Sequence, residues 1–139
     1  MTVETYTKSL SANDTGESGG HQAGILVPKG ATAFRAFLPS LAEIKNPRAW
    51  IECTDPDGKI WDFCFIHYNN KHYDPTGTRD EYRITHMTKF LRSFGATEGD
   101  DVVISGKPGS AKYTVRVEKA EIMTDQPARI VLKGWRRIH

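Results

Sequence analysis

The chain has 139 residues, of which 38% are hydrophobic, and its formal net charge is +2. This length fits one globular domain with a real core, residues 1–139, and leaves no room for a second. The small net charge excludes a polycation that would coat nucleic acid indiscriminately, although the charges after Asp125 are all basic. No apolar run approaches the roughly 20 residues that a membrane span needs, and the N-terminus lacks a signal peptide. We therefore expect a soluble, cytoplasmic protein without a membrane partner.

The first third of the chain predicts short strands and one helix. Val3 to Leu10 alternates loosely between apolar and polar residues, and the apolar run Ile25 to Val27 ends at Pro28. Proline cannot donate to a sheet ladder, so it ends the second strand. Thr32 to Leu38 favours a short helix because its large apolar residues fall on one face.

A hairpin is predicted next, with a strand from Arg48 to Thr54 and another from Lys59 to His67. Between them lies the sequence Asp-Pro-Asp-Gly, which is strong turn chemistry. Asp57 and Lys59 also imitate half of a metal-dependent nuclease site, but the turn explains them better. Cys53 and Cys64 fall on the two strands without metal-type spacing, which predicts reduced, buried thiols.

The last third predicts a helix and further strands. Thr88 to Phe94 has helical spacing, and Gly95 suits the C-terminal cap of that helix. After a turn at Gly99 and Asp100, the predicted strands are Asp101 to Ser105, Tyr113 to Ile122 and Arg129 to Ile138. Short strands with two single helices and no repeated strand-helix unit predict a mainly β fold, a closed or nearly closed barrel.

Two polar segments are the candidates for function. The segment from Ser11 to Gly24 combines four glycines with donors and acceptors that could read base edges or phosphate oxygens. The segment from Tyr68 to Lys89 alternates basic residues, tyrosines and carboxylates. Arginine can fork onto guanine or phosphate, and a carboxylate can accept from the amino group of cytosine. Loops this long are uncommon unless they bind something.

Enzymatic and metal sites are weaker interpretations. The five histidines show neither H-x-x-x-H pairing nor an associated C-x-x-C motif. A triad of Ser11, His21 and Asp14 would lie on one flexible loop with nothing to lock its geometry. We therefore expect no catalytic residue, no metal and no cofactor in this chain.

Two polar segments of the chain resemble parts of a known protein family. Lys8 to Pro28, reading KSLSANDTGESGGHQAGILVP, and Asn69 to Thr85, reading NNKHYDPTGTRDEYRIT, resemble the two DNA-contacting arms of the N-terminal, effector-binding domain of EcoRII-type restriction endonucleases. The resemblance implies the DNA-binding pseudobarrel of plant B-three transcription factors, an open barrel of seven or eight strands with two short helices. In that fold two arms grip the major groove.

The resemblance also implies which residues contact DNA. We call residues 8–24 the first arm and residues 69–88 the second arm. The implied first-arm contacts are Lys8, Ser11, Asn13, Asp14, Thr15, Gly20, His21 and Gln22. The implied second-arm contacts are Asn70, Lys71, His72, Thr78, Arg79, Asp80, Glu81, Tyr82 and Arg83, although Tyr82 stands where the family pattern has a lysine.

The function expected from this resemblance is sequence-specific recognition of double-stranded DNA, with CCWGG as the implied site. The chain would be a non-catalytic domain, and the parent restriction enzyme would carry a separate C-terminal PD-(D/E)xK nuclease domain. Two alternatives stay open. One is a small barrel hydrolase, and the other is a single-strand or RNA binder that would stack bases on Tyr68, Tyr73 and Tyr82.

Overall fold

A computed structural model describes residues 2–15, 24–120 and 134–138 of the chain. Their secondary structure consists of eight strands, three short α-helices and one turn of 3-10 helix at Asn70–His72. The strands are β1 (Glu4–Ser9), β2 (Ile25–Val27), β3 (Arg48–Thr54), β4 (Ile60–Tyr68), β5 (Glu81–Thr85), β6 (Asp101–Gly106), β7 (Lys112–Glu118) and β8 (Arg136–Arg137). The helices are α1 (Ala12–Thr15), α2 (Thr32–Phe37) and α3 (Thr88–Ser93).

All eight strands form one sheet, in the order β2-β5-β4-β3-β7-β6-β1-β8. Neighbouring strands are antiparallel except β3 and β7, which run parallel. The two ends of the sheet meet, because the indole N–H of Trp135, next to β8, donates to the carbonyl of Leu26 in β2 at 3.2 Å. The sheet is therefore curled into an open barrel, which confirms the predicted mainly β class.

The core fills the inside of this curled sheet. In each strand successive side chains point to opposite faces, so alternate residues such as Phe63 and Phe65 of β4 face inward. Two helices add apolar side chains to the same core, with Phe34 and Phe37 from α2 and Phe90 from α3 fully buried. The polar residues of the second arm follow β4, so this core provides the frame that positions them.

The β3–β4 hairpin has the predicted turn. Asp55 accepts hydrogen bonds from the backbone N–H of Asp57 at 2.8 Å and of Lys59 at 3.0 Å, and from the indole of Trp61 at 2.9 Å. Gly58 has φ +85°, a conformation that glycine adopts without strain. The Asp57 and Lys59 pair is therefore part of a structural turn.

The two cysteines are free and buried, as predicted. Cys53 in β3 and Cys64 in β4 are not cross-strand partners, since Cys53 faces Trp61 and Cys64 faces Trp50. Burial raises the pKa of the Cys53 thiol to about 12, so this thiol is protonated and inert at neutral pH.

Four local predictions were wrong or incomplete. The second polar segment contains a strand, β5, which pairs with β4 and β2, because Tyr82 and Ile84 alternate with polar residues as a half-buried strand requires. The first segment begins with a helix, α1, instead of an open loop.

Strand β7 ends at Glu118, whereas the predicted strand continued to Ile122. Ile122 belongs to residues 121–133, which lie outside the described residues. Among the described residues 134–138, Arg136–Arg137 form a strand, and the predicted part at 129–133 lies outside the described residues.

Candidate nucleic-acid interface

The described part of the first arm is anchored by a buried ion pair. The Lys8 ammonium lies 2.5 Å from a carboxylate oxygen of Asp14, and both residues are less than 10% exposed. Ser11 and Asp14 also cap α1 reciprocally: the Ser11 N–H donates to the Asp14 carboxylate at 3.0 Å, and the Asp14 N–H donates to the Ser11 hydroxyl at 3.1 Å. Lys8 and Asp14 therefore shape the arm, since each neutralises the other.

The other predicted contacts of the first arm lie partly inside and partly outside the described residues. Ser11 and Asn13 are exposed at the start of the arm, while the Thr15 hydroxyl donates back to the carbonyl of Ala12 at 3.1 Å. Gly20, His21 and Gln22, three of the predicted contacts, lie outside the described residues.

The second arm is folded around Asn70. The Asn70 side-chain oxygen accepts from the backbone N–H of Arg79 at 2.8 Å, and its carbonyl accepts from the N–H groups of Tyr73 and Asp74. Gly77 packs against this carbonyl so closely that a Cβ atom at position 77 would collide with it. Asn70 thus acts as the internal brace of the arm.

Asp80 ties the second arm to the barrel. Its carboxylate contacts the Lys29 ammonium at 2.5 Å, His67 Nε2 at 2.8 Å and His72 Nε2 at 3.0 Å. These groups come from the turn after β2, from β4 and from the arm itself. Hydrogen bonds from Lys29, then from His67 and His72, hold the pKa of the Asp80 carboxyl well below its usual range. Asp80 is therefore a charged anchor at the base of the arm.

Glu81 holds two arginines on the outer face of β5. Its Oε1 accepts from Arg79 Nε at 2.9 Å and Nη2 at 2.7 Å, and its Oε2 accepts from Arg83 Nε at 3.1 Å. Burial would raise the pKa of Glu81, but the hydrogen bonds from Arg79 and Arg83 outweigh it and lower that pKa. The Arg79 guanidinium also lies 3.8 Å from the ring centroid of Tyr68. Both arginines are therefore held in fixed orientations.

Tyr82 points to the opposite face of β5. Its ring stacks on His67 at 4.1 Å between centroids, and the Arg35 guanidinium lies 4.8 Å from the Tyr82 centroid. The position of Tyr82 follows from strand alternation, because Glu81 and Arg83 flank it in the sequence. Thr78 and Lys71 are exposed on the arm, and no carboxylate pairs with Lys71 among the described residues.

One cleft joins the two arms. It has a volume of about 820 Å³, and its lining includes Lys8, Ser11, Asn13 and Asp14 of the first arm with Leu26 of β2 and Arg83 of the second arm. Arg83 also donates to the carbonyl of Gly24, at the end of the first arm, at 3.0 Å. The structure thus brings Arg83 together with the first arm, whereas Asn70, His72 and Asp80 act within the second arm and at its base.

Lys29 and His67 belong to this site although the sequence did not single them out. Both residues contact Asp80, from which Lys29 is 51 residues and His67 is 13 residues away along the chain. No short sequence motif could therefore predict that they meet. Although His67 and His72 both contact Asp80, no group of three or more His, Cys, Asp or Glu side chains in the described ranges has an arrangement that could hold a metal ion. None of the helices in the described part of the chain has the length and apolar character that a membrane crossing requires.

Comparisons with known proteins show which family the chain is similar to. Residues 1–99 match the family described as restriction endonuclease EcoRII, N-terminal. The type II restriction enzyme EcoRII of Escherichia coli is 36% identical over an alignment of 89 residues, and the match covers 58% of this chain and 20% of that enzyme. The chain thus spans about a fifth of the length of this curated relative.

A solved structure shares the fold. The Arabidopsis FUS3-DNA complex superposes with a TM-score of 0.60 at 23% identity, covering 83% of this chain and 96% of that one. The chain belongs to the family of EcoRII restriction endonuclease N-terminal domains, and its fold is the DNA-binding pseudobarrel.

Proposed function

We propose that this chain recognises a short sequence in double-stranded DNA by placing its two arms in the major groove. The observation that carries the proposal is the cleft shared by the start of the first arm and Arg83 of the second. Two relatives support it, since FUS3 was solved as a complex with DNA and EcoRII is a restriction enzyme.

The second arm offers donors suited to base edges. Glu81 fixes one edge of each of the Arg79 and Arg83 guanidinium groups, and a guanidinium has five N–H donors. The donors of Arg79 that Glu81 does not use can fork onto the acceptors of guanine. Oε1 of Glu81 already accepts two hydrogen bonds from Arg79, whereas Oε2 accepts one, from Arg83 Nε. The second lone pair of Oε2 can therefore accept from the amino group of cytosine while Glu81 holds the arginines.

Other groups are suited to the DNA backbone or to shaping the arms. We propose Lys71 as a phosphate contact because it is exposed on the second arm. Ser11, Asn13, Thr78 and the first-arm residues Gly20, His21 and Gln22 remain proposed contacts. Seven further residues also remain proposed contacts, and their bonds or ring contacts within the protein additionally hold the arms in shape: Lys8, Asp14, Thr15, Asn70, His72, Asp80 and Tyr82.

The alternatives have less support. A single-strand binder needs several open aromatic faces, but the Tyr68 ring carries Arg79 and the Tyr82 ring is stacked on His67. Of the three tyrosines this leaves Tyr73, which is 48% exposed. A hydrolase built on Asp57 and Lys59 would need a second carboxylate, and the nearby Asp55 is occupied in the hairpin turn.

The proposal extends to the parent protein. This chain would be the non-catalytic specificity domain of a cytoplasmic type II restriction endonuclease, with a nuclease domain elsewhere in that enzyme. We propose CCWGG as the recognition sequence, on the resemblance of the arms to the EcoRII family.

A binding selection tests the proposal. The chain is titrated into a pool of randomised duplexes, and the retained sequences are determined and then measured individually against the same sequence as a single strand. We expect one short duplex sequence to be enriched and to bind at least tenfold more tightly than its single strand. Equal binding of both forms, or no enrichment, would contradict the proposal.

A further inference from the structure

On the outer face of the sheet, two rows of side chains lead from the second arm to β3. Their middle residues on β4, Ile66 and Cys64, are at most 2% exposed, so the exposed parts of the rows are their ends on β3. Arg83 of β5 lies beside Ile66 of β4, and Ile66 lies beside Arg48 of β3. The next row contains Thr85, Cys64 and Trp50 in the same strands. Residues two apart in a strand share a face, so Arg48 and Trp50 lie on the same face as Arg83. With strands about 4.8 Å apart, Arg48 lies about 10 Å from Arg83 along the row.

An exposed tryptophan lies in this region. Trp50 is 52% exposed, which is unusual for a large aromatic side chain in a sheet. The rings of Trp50 and His86 meet edge to face, with their centroids 5.0 Å apart. The His86 ring is held in turn by a 2.9 Å hydrogen bond between its Nδ1 and the Thr85 hydroxyl. We call Arg48, Trp50 and His86 the flank strip.

The flank strip carries uncompensated positive charge. Arg48 is exposed, and no carboxylate pairs with its guanidinium among the described residues. Its charge reaches the Cys64 thiol, where it opposes the burial that raises the pKa of that thiol. The chain then enters α3, whose exposed Lys89 and Arg92 add further basic groups close to His86 in the sequence.

Acidic residues bound the strip on its far side. Glu52 and Asp62 lie directly opposite each other in the next row of the same face. Lys112 of β7 lies beside Glu52, but two carboxylates against one ammonium leave this row net negative. The surface favourable to DNA therefore ends after Trp50. The strip therefore occupies the space between the cleft of the arms and an acidic border.

We propose that the flank strip contacts the sugar-phosphate backbone of DNA outside the sequence held by the two arms. Arg48 pairs with a phosphate, and the Trp50 ring packs against a neighbouring deoxyribose. Nucleotides rise about 3.4 Å along one strand, so 10 Å from Arg83 corresponds to about three nucleotides. This inference rests on the proposed function, because the strip is an extension of the same DNA surface.

Two duplexes and two matched variants test the strip. Both duplexes contain the sequence selected by the chain, one without flanks and the other with about six flanking base pairs on each side. Arg48→Ala is compared with Lys107→Ala, which removes the same charge from the exposed turn between β6 and β7. We expect Arg48→Ala to weaken binding to the long duplex about fivefold and to leave binding to the short duplex unchanged. The slope of log affinity against log salt concentration, measured with the long duplex, should fall in magnitude by about one. Lys107→Ala should bind both duplexes as the unmodified chain does.

Tryptophan fluorescence gives a second readout. The long duplex should quench the emission of the unmodified chain more than the short duplex does, and Trp50→Phe should remove the difference. If Arg48→Ala matches Lys107→Ala on both duplexes, or if Trp50→Phe leaves the difference unchanged, the strip faces something other than DNA and the proposal is overturned. If the unmodified chain binds neither duplex, the proposed function itself fails, and the strip proposal fails with it.

Discussion

At the scale of single residues, the charged groups of the second arm act as linked units. Glu81 is the common acceptor for Arg79 and Arg83. The i, i+2 spacing puts Glu81 and Arg83 on one face of β5, and Arg79 reaches Glu81 from the segment just before the strand. Arginine side chains lose rotamer entropy when they bind, and a residue that has already ordered them reduces that cost. We infer that Glu81 supports DNA binding even where it touches no base.

A double-mutant cycle measures this coupling. Arg79→Ala and Glu81→Ala should each weaken binding to the selected duplex by about 1 to 3 kcal/mol and change binding to unrelated duplex little. The double variant should lose about as much as the worse single variant, because removing either partner disables the pair. The affinities are measured by titration against labelled duplex.

The chain provides its own control for this cycle. Arg116 and Glu118 form the same two-nitrogen pair on β7, with the Arg116 Nη2 at 2.7 Å from the carboxylate, but far along the sheet from the second arm. Their alanine variants should leave DNA affinity unchanged. Additive losses in the Arg79 and Glu81 cycle would show that the two residues act independently.

At the scale of elements, the sequence predicts what local chemistry determines. The β3–β4 hairpin and helices α2 and α3 follow from turn residues and from apolar spacing, and the structure confirms them. Strand β5 was missed because its polar residues outnumber its apolar ones, although Tyr82 and Ile84 carry the alternation. The anchor at Asp80 could not be predicted, since Lys29 and His67 reach it only through the fold.

The shape of the second arm depends on the close packing of Gly77. A Cβ at this position would collide with the carbonyl of Asn70, so Gly77→Ala must displace the arm. We expect Gly77→Ala to weaken specific duplex binding about tenfold, which corresponds to about 1.4 kcal/mol, while the thermal midpoint falls by only a few degrees. Binding and melting are measured on the same preparation.

Gly30 is the matched control for this substitution. A Cβ at Gly30 would meet nothing within 4 Å, and neither glycine has positive φ. Gly30→Ala should therefore leave both binding and melting nearly unchanged. If the two variants bind DNA equally well, the shape of the second arm does not matter for recognition.

At the scale of the whole molecule, the family match and the structural unit differ in extent. The match covers residues 1–99, yet Val102, Ile104 and Val115 belong to the same buried core as the arms' supporting strands. Strand β6 pairs with β1, and β7 connects β6 to β3. The residues after the match thus complete the sheet that carries both arms.

The closure of the barrel gives the last prediction. Trp135 stacks on Phe34 at 4.3 Å between centroids and donates to the carbonyl of Leu26, so one side chain joins the two ends of the sheet.

Trp135→Ala should lower the free energy of unfolding by about 2 to 3 kcal/mol, less than for a fully buried tryptophan because the residue is only half-buried. Trp135→Phe keeps the stacking but loses the hydrogen bond, and it should cost about 1 kcal/mol. Urea denaturation measures both, with Val3→Ala, at a position that is 61% exposed, as a control that should change stability by less than about 0.5 kcal/mol. Because Leu26 lines the cleft between the arms, Trp135→Ala should also weaken duplex binding under conditions where the variant is folded. A Trp135→Ala variant as stable as the unmodified chain would mean that the sheet does not need this contact to close.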